Sequence, residues 1–127
     1  MLKLERLDVG DVTIVRFRDR RITEARRIEE IGRELFHLVE REDRKKLIVS
    51  LASLDSLSSA VLGKLITLNK KAAACGGAIK LSSVNSDISL LFSVTLDRLF
   101  DIEKDEHHAL EAFGAESAKE GILAPAA

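Results

Sequence analysis

The segment Leu47-Ile48-Val49-Ser50-Leu51 constrains this chain more than any other part of it. It follows the charged stretch Arg41 to Lys46 and is apolar except for Ser50, with β-branched Ile48 and Val49 at its centre and no polar alternation. Such a run is too short to form an amphipathic helix, and its composition suits a strand. A strand lacking an in/out alternation is buried on both faces, which requires a parallel or mixed sheet lying beneath helices. The segment therefore predicts a layered α/β fold. A length of 127 residues fits one domain, and 46% apolar residues supply one ordinary core.

The flanking sequence fills in the layers. Leu2, Leu4 and Leu7 mark a first strand, and Val12 to Phe17 alternates as a second. Gly10-Asp11 between them suits a tight hairpin turn. Thr23 is placed to cap a helix whose inward face carries Ile28, Ile31, Leu35 and Leu38, at spacings of three and four. Arg41 to Lys46 closes that helix as a solvated turn. After the buried strand, a loop from Ala52 to Leu57 leads into a second helix over Ser59 to Ala74. Its inner face is Leu62, Leu65, Leu68 or Asn69, and Ala72, and Gly76-Gly77 stops it. Ala78 to Ser82 reads as the next strand. Ser86 can cap a short third helix through Ile88, Leu91 and Phe92, and Leu96 to Ile102 forms a turn into a last short strand. Asp105 can cap a final helix carrying Ala109, Leu110 and Phe113, with Gly114 as its end. The expected architecture is a single domain over 1–114 with a mixed, mostly parallel sheet of four to five strands and about four helices. The first hairpin adds an antiparallel edge, and 115–127 forms a flexible tail.

Charge and cysteine content narrow the function classes. The net charge of -1, despite 32% charged residues, gives no long-range attraction to nucleic acid or anionic lipid. Arg16, Arg18, Arg20 and Arg21 cluster locally and read as a solvated strand end. With Cys75 as the single cysteine, an intramolecular disulfide is impossible and a structural zinc site lacks its usual thiolates. No signal-peptide core and no run of roughly 18 apolar residues occurs. Cytoplasmic location without membrane insertion is the resulting expectation. The absence of Trp and Tyr removes the usual stacking platform for single-stranded nucleic acid, so no direct nucleic-acid partner is expected.

A search for chemistry leaves one region standing. Gly76-Gly77 lacks the further residues of a dinucleotide or phosphate loop. His107 and Glu111 share a helix face, but two ligands on a terminal helix make a poor metal site. His37 lies between Phe36 and Leu38 and reads as a boundary residue. Cys75 sits at a helix C-terminus, whose partial negative charge disfavours thiolate. Asp55 has no histidine near it in sequence, so nothing signals a Ser-His-Asp arrangement. No cofactor and no catalytic residue is expected. The remaining feature is the serine group Ser56, Ser58 and Ser59 at the start of the second helix. Ser58 or Ser59 can cap that end, worth about 1 kcal/mol. The same free N–H groups and dipole would tolerate a phosphate of roughly -1.5 to -2 charge. Such a modification changes the surface without unfolding the domain.

From Leu47 to Phe100 the chain resembles the STAS domain of bacterial anti-sigma-factor antagonists. In that family a buried strand leads to Asp-Ser-Ser-Gly-Leu at the start of a helix. A Gly-Gly ends the helix, another strand follows, and a later segment reads close to Leu-x-x-Leu-Phe. Here the corresponding pieces are Leu47 to Leu51, Ser58-Ser59-Ala60-Val61-Leu62, Gly76-Gly77, Ile79 to Leu81, and Leu96-Asp97-Arg98-Leu99-Phe100. With the hairpin, the first helix and the last helix, the resemblance covers nearly the whole chain.

The resemblance implies a non-enzymatic regulatory protein acting by partner switching, with an anti-sigma factor or serine kinase as partner. It puts Ser59 at the phosphoacceptor position, where Ser58 replaces the family aspartate, Ala60 the second serine and Val61 the glycine. Ser58 and Ser56 are then neighbouring switch or capping residues, and Thr23, Asp55, Leu57 and Val61 are the expected partner-binding residues. Replacement of the aspartate and the glycine fits a second role, that of a non-phosphorylated scaffold subunit in a signalling or transporter complex.

Overall fold

The computed structural model describes residues 4–88 and 98–123, the last part, 115–123, as backbone. Leu2, Leu91, Phe92, Leu96 and Asp97 lie outside the described residues. The elements are β1 (Leu4–Val9), β2 (Val12–Phe17), α1 (Ala25–Glu40), β3 (Lys46–Ser50), α2 (Ser59–Ala74) and β4 (Ala78–Ser82). A third helix, α3, opens at Ser86, with 86–88 described; β5 (Asp101–Glu103) and α4 (Glu106–Leu123) follow. The five strands lie in the order β1-β2-β3-β4-β5. β1 is antiparallel to β2, and every other pair is parallel. The mixed sheet with its antiparallel edge is the expected architecture.

Alternation along the strands splits the core into two layers. Leu47 and Val49 of β3 join Val15, Phe17, Ile79 and Leu81 beneath α1 and α2. Ile48 turns to the opposite face, where it meets Val12, Ile14, Ala109 and Phe113 of α4. β3 is thus covered on both sides, as the consecutive apolar residues Leu47, Ile48 and Val49 require. The face of α1 read from spacing is buried in full, and Val39 joins it. In α2 the choice between Leu68 and Asn69 falls on Leu68, which is buried, while Asn69 Nδ2 donates to the Leu99 carbonyl at 2.8 Å.

Gly77 has a tertiary reason beyond stopping α2. A Cβ there would stand 2.3 Å from the Lys45 carbonyl oxygen, which already accepts the Ala78 amide at 2.8 Å. Gly76 takes φ +78°, and the Gly77 amide returns to the Ala72 carbonyl at 2.8 Å to close the helix end.

Three helix boundaries differ from the sequence expectation. Thr23 is exposed and does not cap α1. Glu24 holds that position without a side-chain hydrogen bond, because the neighbouring Ile22 is drawn into the core and the chain turns helical only at Ala25. Asn85 rather than Ser86 caps α3: its Oδ1 accepts the Ile88 amide at 2.9 Å while its Nδ2 donates to the Leu54 carbonyl. Gly114 does not end α4, whose backbone continues to Leu123. A glycine stops a helix by adopting positive φ, and Gly114 is not among the residues that do so. Asp105 does cap α4, its Oδ1 accepting the His108 amide at 2.8 Å.

Candidate functional site

The serine group lies on the loop between β3 and α2, at the C-terminal edge of the parallel strands. Three leucines, Leu51, Leu54 and Leu57, recur at every third residue and are all buried, so the loop is pinned to the core along its length. Polar bonds hold its outer side. The Leu51 amide reaches the Ser82 carbonyl at 3.0 Å, and the Leu54 amide returns to the Leu51 carbonyl at 3.1 Å. Ser53 Oγ shares its proton between the carbonyls of Phe17 at 2.7 Å and Asp19 at 3.0 Å. The Asp55 amide donates to the Arg20 carbonyl at 2.8 Å, and the Asp55 carboxylate lies 3.2 Å from the Arg20 guanidinium. The loop after β2 and the loop after β3 are therefore one fastened unit.

At its end Ser58 takes an extended backbone, and its Oγ accepts the Val61 amide at 3.2 Å. This is an N-cap, and it resolves the choice between the two serines. Ser59 becomes the first residue of α2 with an exposed side chain, and no acidic residue stands in that first turn. The N–H groups of the first turn have no intrahelical acceptors, and the helix dipole adds partial positive charge there. A phosphate on Ser59 would meet donors and no carboxylate within the turn.

The structure divides the expected site residues into two groups. Ser56, Ser59, Asp55 and Thr23 are exposed. Leu57 and Val61 are not: they are 5% and 2% exposed and belong to the α1/α2 core. Packed there, they seat the loop and the first turn of α2. The apolar character of both was visible in sequence, whereas their direction depends on where α2 crosses the sheet.

Two features near this edge went unrecognised in sequence. Arg16 is not simply part of a solvated basic cluster. Its Nε and Nη2 each lie 2.7 Å from a carboxylate oxygen of Glu106, at the start of α4. That guanidinium holds the Glu106 carboxyl below its usual range, with Ser50 adding a hydrogen bond. Lys80, mid-strand in β4, is buried. Its ammonium lies 3.3 Å from Asp101 and 4.8 Å from the centre of the Phe113 ring. No local pattern signals either pairing, since the partners come from distant elements.

The remaining candidates stay apart from the loop. His107 pairs with Glu111 at 2.9 Å and His108 with Asp105 at 2.7 Å, both on α4. Among the described residues no group of three or more His, Cys, Asp or Glu side chains is placed to hold a metal ion. Cys75 is exposed at the end of α2, and His37 is exposed rather than at a boundary. No described helix is long and apolar enough to cross a membrane.

No family model matches the chain. Solved structures do match its fold. A Thermotoga maritima protein assigned as an anti-sigma factor antagonist superimposes with a TM-score of 0.77 at 23% identity, covering 86% of this chain and 92% of that one. A serine-to-glutamate variant of Moorella thermoacetica RsbS gives 0.78 at 16% identity, covering 92% and 99%. The Bacillus cell-fate determinant SpoIIAA in its phosphorylated form gives 0.67 at 13% identity, covering 87% and 98%. The fold is that of the anti-sigma-factor antagonist, or STAS, domains. The likeness covers 86%, 92% and 87% of this chain in the three comparisons, in keeping with a resemblance that runs through nearly the whole chain.

Proposed function

We propose that this chain is a regulatory protein-binding module of a partner-switching pathway, an anti-sigma-factor antagonist whose partner is an anti-sigma factor or serine kinase. Ser59 is its phosphoacceptor. The observation that carries the reading is the exposed Ser59 hydroxyl on the first residue of α2, beside a cap that Ser58 already supplies. Phosphorylation there adds charge to a surface that receives it and leaves the core untouched. The likeness of the fold to phosphorylated SpoIIAA supports the same reading.

The test is to isolate the protein from its native cell, map phosphate by mass spectrometry, and measure partner capture by Ser59→Asp and Ser59→Ala. The expected result is phosphate on Ser59, with capture lost in Ser59→Asp and kept in Ser59→Ala. Absence of phosphate on Ser59, together with equal capture by both variants, would overturn it.

A second reading is a non-phosphorylated scaffold subunit of a signalling or transporter complex. The fold likeness to a stressosome structure, with a TM-score of 0.68 at 18% identity, favours it. Recovery with a large sensor assembly or a transporter ATPase, in place of a small kinase, would decide for the scaffold.

A further inference from the structure

β1 is the edge of the sheet, bonded to β2 on one side, and among the described residues no strand pairs with its other side. Native edges of this kind are usually blunted, because unpaired N–H and C=O groups recruit another strand. Here the edge carries Leu7 and Val9, 47% and 42% exposed, on the face shared with α4. On the opposite face it carries Arg6 and Asp8. Arg6 Nε lies 3.2 Å from Asp8 Oδ1 along the same strand.

The hairpin fixes which groups are free. Val9 faces Val12 across the two-residue turn Gly10-Asp11, so these two residues exchange both backbone hydrogen bonds. By alternation, residues 5, 7 and 9 direct their backbone groups at β2, and 4, 6 and 8 direct theirs at the open edge. Facing residues of an antiparallel pair belong to the same class. A copy of β1 can therefore dock on β1 only in a register centred on a residue, never between two.

Charge then selects among those registers. Centring on Arg6 opposes two guanidinium groups, and centring on Asp8 or Glu5 opposes two carboxylates, which is destabilising. Centring on Leu4 or Val9 leaves half of the described strand, Leu4–Val9, without a described β1 partner. Centring on Leu7 sets Leu7 against its own copy and Arg6 against Asp8 of the other chain, twice. Within each chain Arg6 already contacts Asp8 and holds Glu42 at 2.8 Å through Nη1, and Asp8 faces Arg44 at 3.6 Å, so the cross-strand pairs extend an existing network of alternating charge.

We propose that β1 is an interaction surface for a second copy of this chain. The two copies pair antiparallel about a two-fold axis at Leu7 and join their sheets edge to edge. The contact is small, so the association is weak and concentration-dependent. It is independent of the reading given for Ser59, whose loop lies at the end of β3 and not on this edge.

Leu7 would face its copy as a non-hydrogen-bonded pair, with Cα atoms about 4.5 Å apart, within the range a disulfide spans. The test uses the full chain with Cys75→Ser and one new cysteine. Leu7→Cys is expected to cross-link to a covalent dimer under mild oxidation, and Val9→Cys is not, because Val9 faces Glu5. Cross-linking of Val9→Cys as fast as Leu7→Cys overturns the register. Sedimentation equilibrium gives the second readout: Arg6→Asp weakens dimerisation by about tenfold or more, and Arg6→Asp with Asp8→Arg restores it. Circular dichroism checks that each variant is folded. A wild-type chain that stays monomeric throughout the concentration series overturns the proposal.

Discussion

Arg16 of β2 and Glu106 of α4 meet in a two-pronged contact across the end of the sheet, with both N···O distances 2.7 Å. The pair ties the antiparallel hairpin, through β2, to the helix that covers the opposite face. Geometry of this kind is the stronger form of charge-assisted bonding. The Arg16 side chain is 41% exposed, so solvent screening discounts its worth.

Glu106→Gln is expected to cost about 1 kcal/mol at neutral pH. Arg16 depresses the folded-state pKa of Glu106, so this contribution is fully present above the unfolded carboxylate value of about 4.3. It is lost as pH falls through the depressed folded value. Asp8, Asp11 and Asp105 are also depressed, so the wild type loses stability in acid for several reasons. The difference between wild type and Glu106→Gln should therefore narrow below about pH 4 in thermal melts, and a constant difference would contradict the assignment.

Ser58 and Ser59 should behave differently despite being adjacent. Ser58→Ala removes the cap to Val61 and is expected to cost about 1 kcal/mol. Ser59→Ala removes an exposed side chain and should fall within about 0.5 kcal/mol of wild type. Ser59→Asp places a carboxylate at the positive end of α2 and should be neutral or stabilising by up to about 1 kcal/mol. Urea midpoints at unchanged slope give these differences directly.

The two glycines after α2 separate strain from collision. Gly76→Ala must hold a methyl group at φ +78° with nothing near it, at a cost of about 1 kcal/mol. Gly77→Ala drives a methyl group onto the Lys45 carbonyl, at the entry to β3, where backbone must move. It should cost about 3 kcal/mol or more and lower the yield of folded protein. Equal midpoints for the two variants would contradict the close approach.

Lys80 offers a test of what a buried cation contributes. Replacement by Met keeps the stem length and removes the charge, and is expected to change stability by less than about 1.5 kcal/mol. Lys80→Ala leaves a void beneath Phe113 and should cost about 2–4 kcal/mol. Chemical denaturation of both variants measures the contrast.

The elements whose causes are local were readable from the chain itself. β3 announces its double burial by the consecutive apolar residues Leu47, Ile48 and Val49, the hairpin is set by Gly10-Asp11, and α2 is bounded by a serine cap and a glycine pair, at Ser59 and Ala74. The position of the serine group at a helix start was equally local. What needed the fold were relationships between elements. Ile22 entering the core set the start of α1 beyond Thr23, and a helical φ at Gly114 let α4 continue. Leu57 and Val61 turned inward because α2 crosses the sheet above them. The pairing of Arg16 with Glu106 depends on two residues far apart in sequence arriving at one edge. Periodicity and capping act within a few residues and leave their mark on the sequence. Burial direction and charge pairing are decided by which distant surface arrives opposite, and no local pattern records that.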